Sequence, residues 1–165
     1  MLLIKIIDVK SFMTKLLVQS VFDNFLLSEA EIMTCNLFQI NGKVNEEWFN
    51  ADEKEIIGTE EYMRWGELKS IIYEMIKGNK RPAFFKLVLM LNTENKKKLI
   101  HRVSGQSENE VSQFFLNMKY EKDEILITTG VGYTIFTMNR IWQNQWDSDL
   151  KKYLKYYEIA YEELT

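Results

Sequence analysis

The chain has 165 residues, 46% of them apolar and 27% charged, with a net charge of −3. That size and balance fit a single globular domain over 1–165, and they exclude a disordered chain. One cysteine, Cys35, and one histidine, His101, exclude an internal disulfide framework. They also leave too few ligands for a zinc, copper or non-haem iron site, so no metal or cofactor is expected.

In chain order, residues 2–7 are a short apolar run with strand character. Asp8 follows as a helix N-cap, its carboxylate placed to accept the free N–H groups of a first turn. Val9, Phe12, Met13, Leu16 and Leu17 then recur at helical spacing, with Lys10, Ser11, Thr14 and Lys15 on the wet face. Residues 22–40 read as two alternating strands that turn near Glu29-Ala30. Asn41-Gly42 is a hairpin signal, because both residues tolerate the positive φ of a type I′ turn, and 44–49 reads as the returning strand. The acidic stretch 50–58 reads as loop.

Thr59, Glu60 and Glu61 open a second helix over about 59–77, with Tyr62, Trp65, Leu68, Ile72, Met75 and Ile76 as its stripe and Lys77-Gly78 as its stop. Residues 83–91 are nearly continuously apolar, a strand. Thr93 caps a helix over 94–102, 105–109 is loop, and 111–120 alternates clearly as a strand. A turn at Glu121-Lys122-Asp123 leads into a strand over 124–129. Gly130 and Gly132 mark a further turn before a strand over 133–138. Asp147 caps a last helix over about 147–157. Residues 159–164 read as a final strand or a frayed helix end.

The fold class is α+β. The order of elements gives two β-α-β-β-β units, 2–49 and 83–138, with one helix inserted and one appended. That order resembles a domain of the DNA sliding clamps, the ring-shaped processivity factors of DNA polymerases. The resemblance implies two packed sheets with the two unit helices side by side, carrying bases that face the DNA backbone. The bases in question are Lys10 and Lys15 on the first helix and Lys96, Lys97, Lys98 and Arg102 on the second. The chain is also similar to a family of uncharacterised bacterial proteins, through Asp8-Val9-Lys10-Ser11-Phe12-Met13, Phe22-Asp23-Asn24-Phe25, Ile40-Asn41-Gly42, Ile76-Lys77-Gly78 and Trp146-Asp147. That likeness implies a shared domain type and no activity.

Charge is distributed unevenly. Residues 28–61 carry nine acids against Lys43 and Lys54, and residues 77–102 carry eight bases against Glu94. Either this polarity meets an anionic partner, or the two segments pair with each other. No run approaches the roughly eighteen apolar residues of a membrane span, and the N-terminal run lacks a cleavage pattern, so a cytoplasmic protein is expected.

No catalytic residue is assigned. His101 has no nucleophile–acid motif beside it, Cys35 reads as a buried thiol, and the Gly130-Val131-Gly132 sequence lacks the helix that a phosphate loop opens. Glu29 and Glu31 could share a strand face. Lys77-Gly78-Asn79-Lys80-Arg81-Pro82 is the densest polar cluster. The expected function is non-catalytic binding, with DNA or another protein as partner and oligomers possible. A small hydrolase or transferase built from sequence-distant residues is the alternative, and a plain interaction module the third reading.

Overall fold

In the computed structural model, which describes residues 1–103, 105–106 and 108–164, the strands are β1 (Leu3–Ile6), β2 (Leu26–Met33), β3 (Leu37–Asn41), β4 (Phe84–Met90), β5 (Val111–Glu121), β6 (Glu124–Tyr133) and β7 (Tyr161–Glu163). They form one antiparallel sheet in the order β3-β2-β4-β5-β6-β1-β7. The helices are α1 (Val9–Leu17), α2 (Ala51–Ile57), α3 (Trp65–Ile76), α4 (Thr93–Arg102) and α5 (Ile141–Tyr156). Mixed helices on an antiparallel sheet make the fold α+β.

One sheet face is buried and the other largely wet, as strand alternation requires. On β5, Phe114, Leu116, Met118 and Tyr120 are buried, while Asn117, Lys119 and Glu121 are not. Their cross-strand partners Leu89, Leu87 and Phe85 on β4 and Ile127 and Ile125 on β6 are also fully buried. Phe12 and Leu16 of α1, Trp65 and Ile72 of α3, Leu99 of α4 and Trp142, Trp146, Leu150 and Leu154 of α5 join the same apolar cluster. The wet face carries the ion pairs Lys86–Glu29 and Lys119–Glu121.

Several expectations hold. Asp8 caps α1 by accepting from Ser11 N at 2.9 Å. Lys122 and Asp123 take positive φ at the β5–β6 turn. Others are corrected. β2 runs straight through Glu29-Ala30, because Ala30 is buried between Ile40 and Leu87, and the chain turns instead at 34–36. The clamp-like pair of sheets is replaced by one continuous sheet, since β4 pairs with both β2 and β5 along its length.

The third strand of each expected unit is also missing. Residues 44–49 leave β3 for a bridge at Lys43↔Tyr62 and a 3₁₀ turn at Glu46–Trp48. Residues 134–138 run past the start of β5, so Ile135, Phe136 and Met138 stay exposed without a ladder. Gly130 and Gly132 lie within β6, where a Cβ on Gly132 would come 2.5 Å from Ser112 Oγ.

The helix boundaries shift for local reasons. The acidic stretch 50–58 holds α2, closed at its start by a capping box between Asn50 and Glu53. The inserted helix begins at Trp65 rather than Thr59, because Tyr62 to Arg64 are extended against Lys43 and Leu26. The last helix begins at Ile141, placing Asp147 inside it, where it accepts from Thr129 and Gln143. α4 is capped by Asn92 rather than Thr93. In the expected loop 105–109, residue 107 lies outside the described residues. α1 and α4 cover the same sheet face, but the helix packed against α1 is α3.

The Asn41-Gly42 signal has a different origin from a hairpin. Gly42 does not adopt a left-handed conformation. Its N–H donates to Ser28 O at 3.0 Å and its carbonyl accepts from Met63 N at 2.8 Å. A Cβ there would sit 1.8 Å from the Leu27 carbonyl oxygen. Backbone cannot yield as a side chain tip can, so Gly42→Ala is expected to lose at least about 2 kcal/mol of stability in urea denaturation. A loss below about 0.5 kcal/mol would contradict this packing.

Candidate functional site

The basic helix is set by its start. Asn92 Oδ1 accepts from Asn95 N at 2.8 Å, and the Glu60 carboxylate accepts from Thr93 N and Thr93 Oγ1, both at 2.9 Å. Glu60 therefore complements the N-terminal dipole of α4 instead of opening a helix of its own. Leu99 and Ile100 are buried, which turns Lys97, Lys98, His101 and Arg102 outward. Lys96 is half-buried and donates to Ser112 O at 3.1 Å.

Beside α4 lies a cleft of about 990 Å³, walled by α4 and α5. Asn95, Lys98 and Arg102 line one wall, one helical turn apart or nearly so. Asp149, Lys152, Tyr153 and Tyr156 line the other, and Leu91, Leu99, Phe25 and Trp146 form the floor. Trp146 Nε1 donates to Phe115 O at 2.8 Å, fixing the indole. The Tyr153 hydroxyl donates to Val21 O, and burial pushes its pKa above the ordinary tyrosine value, so it stays a donor. Tyr157 packs on Tyr153 with centroids 4.7 Å apart, and Tyr156 meets Tyr157 edge-on at 4.9 Å. Tyr156 is 79% exposed, an aromatic face standing at the mouth of a basic cleft.

The charge inside is partly spent. Arg102 donates from Nη2 to Asp149 Oδ2 at 2.7 Å and from Nη1 to Oδ1 at 3.4 Å, and Gln145 Nε2 donates to the same carboxylate at 3.0 Å. Lys152 approaches it at 3.9 Å. Lys98 pairs with Glu94 along the exposed helix at 2.6 Å. Among the described residues Lys97 has no ion-pair partner.

The six bases singled out in the sequence divide between sites. Lys98 and Arg102 line the α4–α5 cleft, with Lys96 and Lys97 on the same helix. Lys10 lines a different cleft, beside the end of α3, and Lys15 donates to Ser11 Oγ at 3.1 Å. Lys152, Asp149 and Tyr156 were not anticipated. The available signal was the helical stripe of Leu150, Tyr153, Leu154 and Tyr157, which leaves Tyr156 off the buried face.

His101 lines the cleft and faces Glu108 with Nδ1 3.5 Å from Oε1. Cys35 is exposed in the turn between β2 and β3 rather than buried, because that turn projects beyond the sheet, and its Sγ donates to Asn36 Oδ1. Glu29 and Glu31 share a shallow surface with Gln39 and Tyr62. Of the two alternatives for the charge polarity, the structure shows little pairing. Among the described residues one ion pair, Lys86–Glu29, joins segment 77–102 to segment 28–61. Also among the described residues, no group of three or more His, Cys, Asp or Glu side chains could hold a metal ion, and no helix is long and apolar enough to cross a membrane.

Asp149 is 11% exposed and carries the bidentate Arg102 contact. Replacing it by Asn keeps the shape but removes the charge that Arg102 and Lys152 face. Asp149→Asn is expected to lower stability by about 0.5–1.5 kcal/mol in chemical denaturation, the scale for a charge-assisted pair whose carboxylate is largely buried but whose Arg102 partner is 55% exposed. An unchanged midpoint would show that the pair contributes nothing.

Comparison with known proteins gives one match. The model of DUF5721, a family of unknown function, covers residues 15–162. No curated protein and no solved structure matches the chain.

Proposed function

We propose, from the premise that the chain belongs to the family of unknown function DUF5721, that it is a non-catalytic binding protein whose ligand is nucleic acid. The observation that carries this reading is the cleft in which the bases of α4 meet the exposed Tyr156 ring of α5. A phosphodiester backbone tracks cations, and an unstacked base covers an aromatic face, so a groove offering both fits a single strand. In this reading Lys97, Lys98 and Lys152 contact phosphates, and Tyr156 stacks on a base. The basic character of α4, with Lys97 and Lys98 exposed on it, supports the reading. Residues 1–165 act as one domain, and the single cysteine suits a reducing, cytoplasmic compartment.

The acidic surface elsewhere supports an oriented encounter. Glu46, Glu47, Asp52, Glu53 and Glu55 cluster around α2, where they repel a polyanion and leave α4 as its landing face.

Fluorescence anisotropy with a labelled single-stranded oligonucleotide tests the assignment. Three or four phosphate contacts give a log–log salt slope of about −2 to −3, with affinity on the order of 10⁻⁴ to 10⁻⁶ M at physiological salt. Lys97→Glu with Lys98→Glu is expected to flatten that slope. Tyr156→Ala is expected to weaken binding by about 1–3 kcal/mol without changing it. No binding at about 20 mM salt, where screening is weak, would overturn the proposal.

A further inference from the structure

A second cleft, of about 510 Å³, runs along α1 and is closed by the end of α3 and the segment 77–82. Its floor is apolar, made of Met13, Leu17, Ile76 and Pro82 with the rings of Tyr73 and Tyr120. Its rim is cationic: Lys10, Lys77, Lys80 and Arg81 surround it, with Asp123 as the one carboxylate among the lining residues. The polar cluster at 77–82, noted in the sequence without a role, thus forms one wall of a concave site.

Two of the four cations are already engaged. Lys77 pairs with Glu74 at 2.7 Å, and Arg81 with Asp123 at 2.5 Å. Asp123 also accepts from the Tyr120 hydroxyl at 2.8 Å, and the Arg81 and Tyr120 hydrogen bonds hold its carboxyl below the usual range. The only acid on the lining is therefore ionised and matched by its own partner. Among the described residues neither Lys10 nor Lys80 has a salt bridge or a hydrogen-bond acceptor for its ammonium group. The lining keeps an excess of positive charge beside apolar surface. The volume falls in the range of small-molecule sites, which join an apolar floor to a few placed polar groups.

We propose that this cleft binds a phosphate monoester with an apolar body, the phosphate between Lys10 and Lys80 and the body against Met13, Leu17 and Ile76. Lysines serve as point charges for phosphate without demanding a fixed fork geometry, which suits two flexible side chains converging from different elements. The C-terminal end of α3 disfavours an anion through its dipole, so the side chains must supply the attraction. An apolar body adds what phosphate alone cannot, because each methylene taken out of water strengthens binding. The site is separate from the α4–α5 cleft and shares no lining residue with it.

Isothermal titration of the full chain with monomeric octyl phosphate and, separately, inorganic phosphate tests this. Octyl phosphate is expected to bind at least ten-fold more tightly than inorganic phosphate. Lys10→Glu combined with Lys80→Glu is expected to weaken it at least ten-fold, with an unchanged circular dichroism spectrum. Met13→Lys serves as an independent variant, expected to erase the preference for octyl phosphate over inorganic phosphate. Equal affinities for the two probes in the wild type, or binding insensitive to both variants, would overturn the proposal. Flotation with phosphatidylcholine vesicles containing phosphatidic acid separates the sources. Capture lost in the lysine double variant assigns a lipid headgroup, and octyl phosphate binding without vesicle capture assigns a soluble ester.

Discussion

The structure depends on how the backbone from the last turn of α1 to the start of β2, Leu16 to Phe25, has its carbonyl groups bonded. After α1 the chain crosses toward β2 without regular structure, with Val21, Phe22 and Phe25 buried. Buried or half-buried carbonyls that lack a ladder must find donors elsewhere, or the segment costs roughly 1–3 kcal/mol per orphan. The donors here come from three separate parts of the chain, the first turns of α3, the cap of α4 and the body of α5. Trp65 Nε1 donates to Leu16 O at 2.8 Å and Trp65 N to Phe25 O at 2.7 Å. Lys69 Nζ donates to Gln19 O, Tyr153 Oη to Val21 O, Gly66 N to Asp23 O and Asn92 Nδ2 to Asn24 O. α3, α4 and α5 are thus registered to one segment rather than only to the sheet. Gly66 belongs to this set, since a Cβ there would come 2.9 Å from Asp23 Cβ.

The same bonds place the α4–α5 cleft. Asn92 spends its amide on Asn24 and its carbonyl on the cap of α4, so one side chain ties the start of the basic helix to the segment. Tyr153 does the equivalent for α5, with its ring packed edge-on against Phe25 at 5.6 Å and tilted against Phe22 at 5.9 Å. Both walls therefore hang from neighbouring residues of the same stretch. Walls referenced to one backbone segment keep their separation better than walls set by loop length, which suits the proposed role of the cleft.

Much of the fold was legible because periodicity reports burial directly. The α1 stripe, the alternation on β5 and the Lys122-Asp123 turn are local signals with local causes. The failures share a different cause. Residues 133–138 have the β-branched and aromatic character of a strand, yet a strand exists only where a partner lies alongside, and β5 begins at Val111 opposite Tyr133. Thr59-Glu60-Glu61 has the form of a helix start, but Glu60 serves the start of α4, thirty-three residues away. Asn41-Gly42 has the form of a hairpin turn, but its glycine answers to the Leu27 carbonyl. For the candidate site, sequence could find the lysines of α4. It could not find that Asp149 would hold Arg102 or that Lys152 would face it, because those contacts arise from how two helices lie on a sheet.

The distribution of charge follows from the same geometry. The acidic segment 28–61 enters the sheet only through β2 and β3 at one edge, and five of its remaining acids ride on α2 and the Glu46–Trp48 turn, while Glu60 serves the start of α4. The basic segment 77–102 enters through β4 and leaves along α4 on the covered face. Where the two meet in the sheet, Lys86 and Glu29 pair across β2 and β4. Away from the sheet the segments lead to separate surfaces, so most of their charges find partners within their own neighbourhood or none. Such a separation gains nothing for folding, since exposed charges of one sign repel each other and exposed ion pairs contribute at most about 1 kcal/mol. A surface polarity that folding does not require, placed beside two clefts that each carry lysines at an apolar floor, supports the proposed recognition of anions.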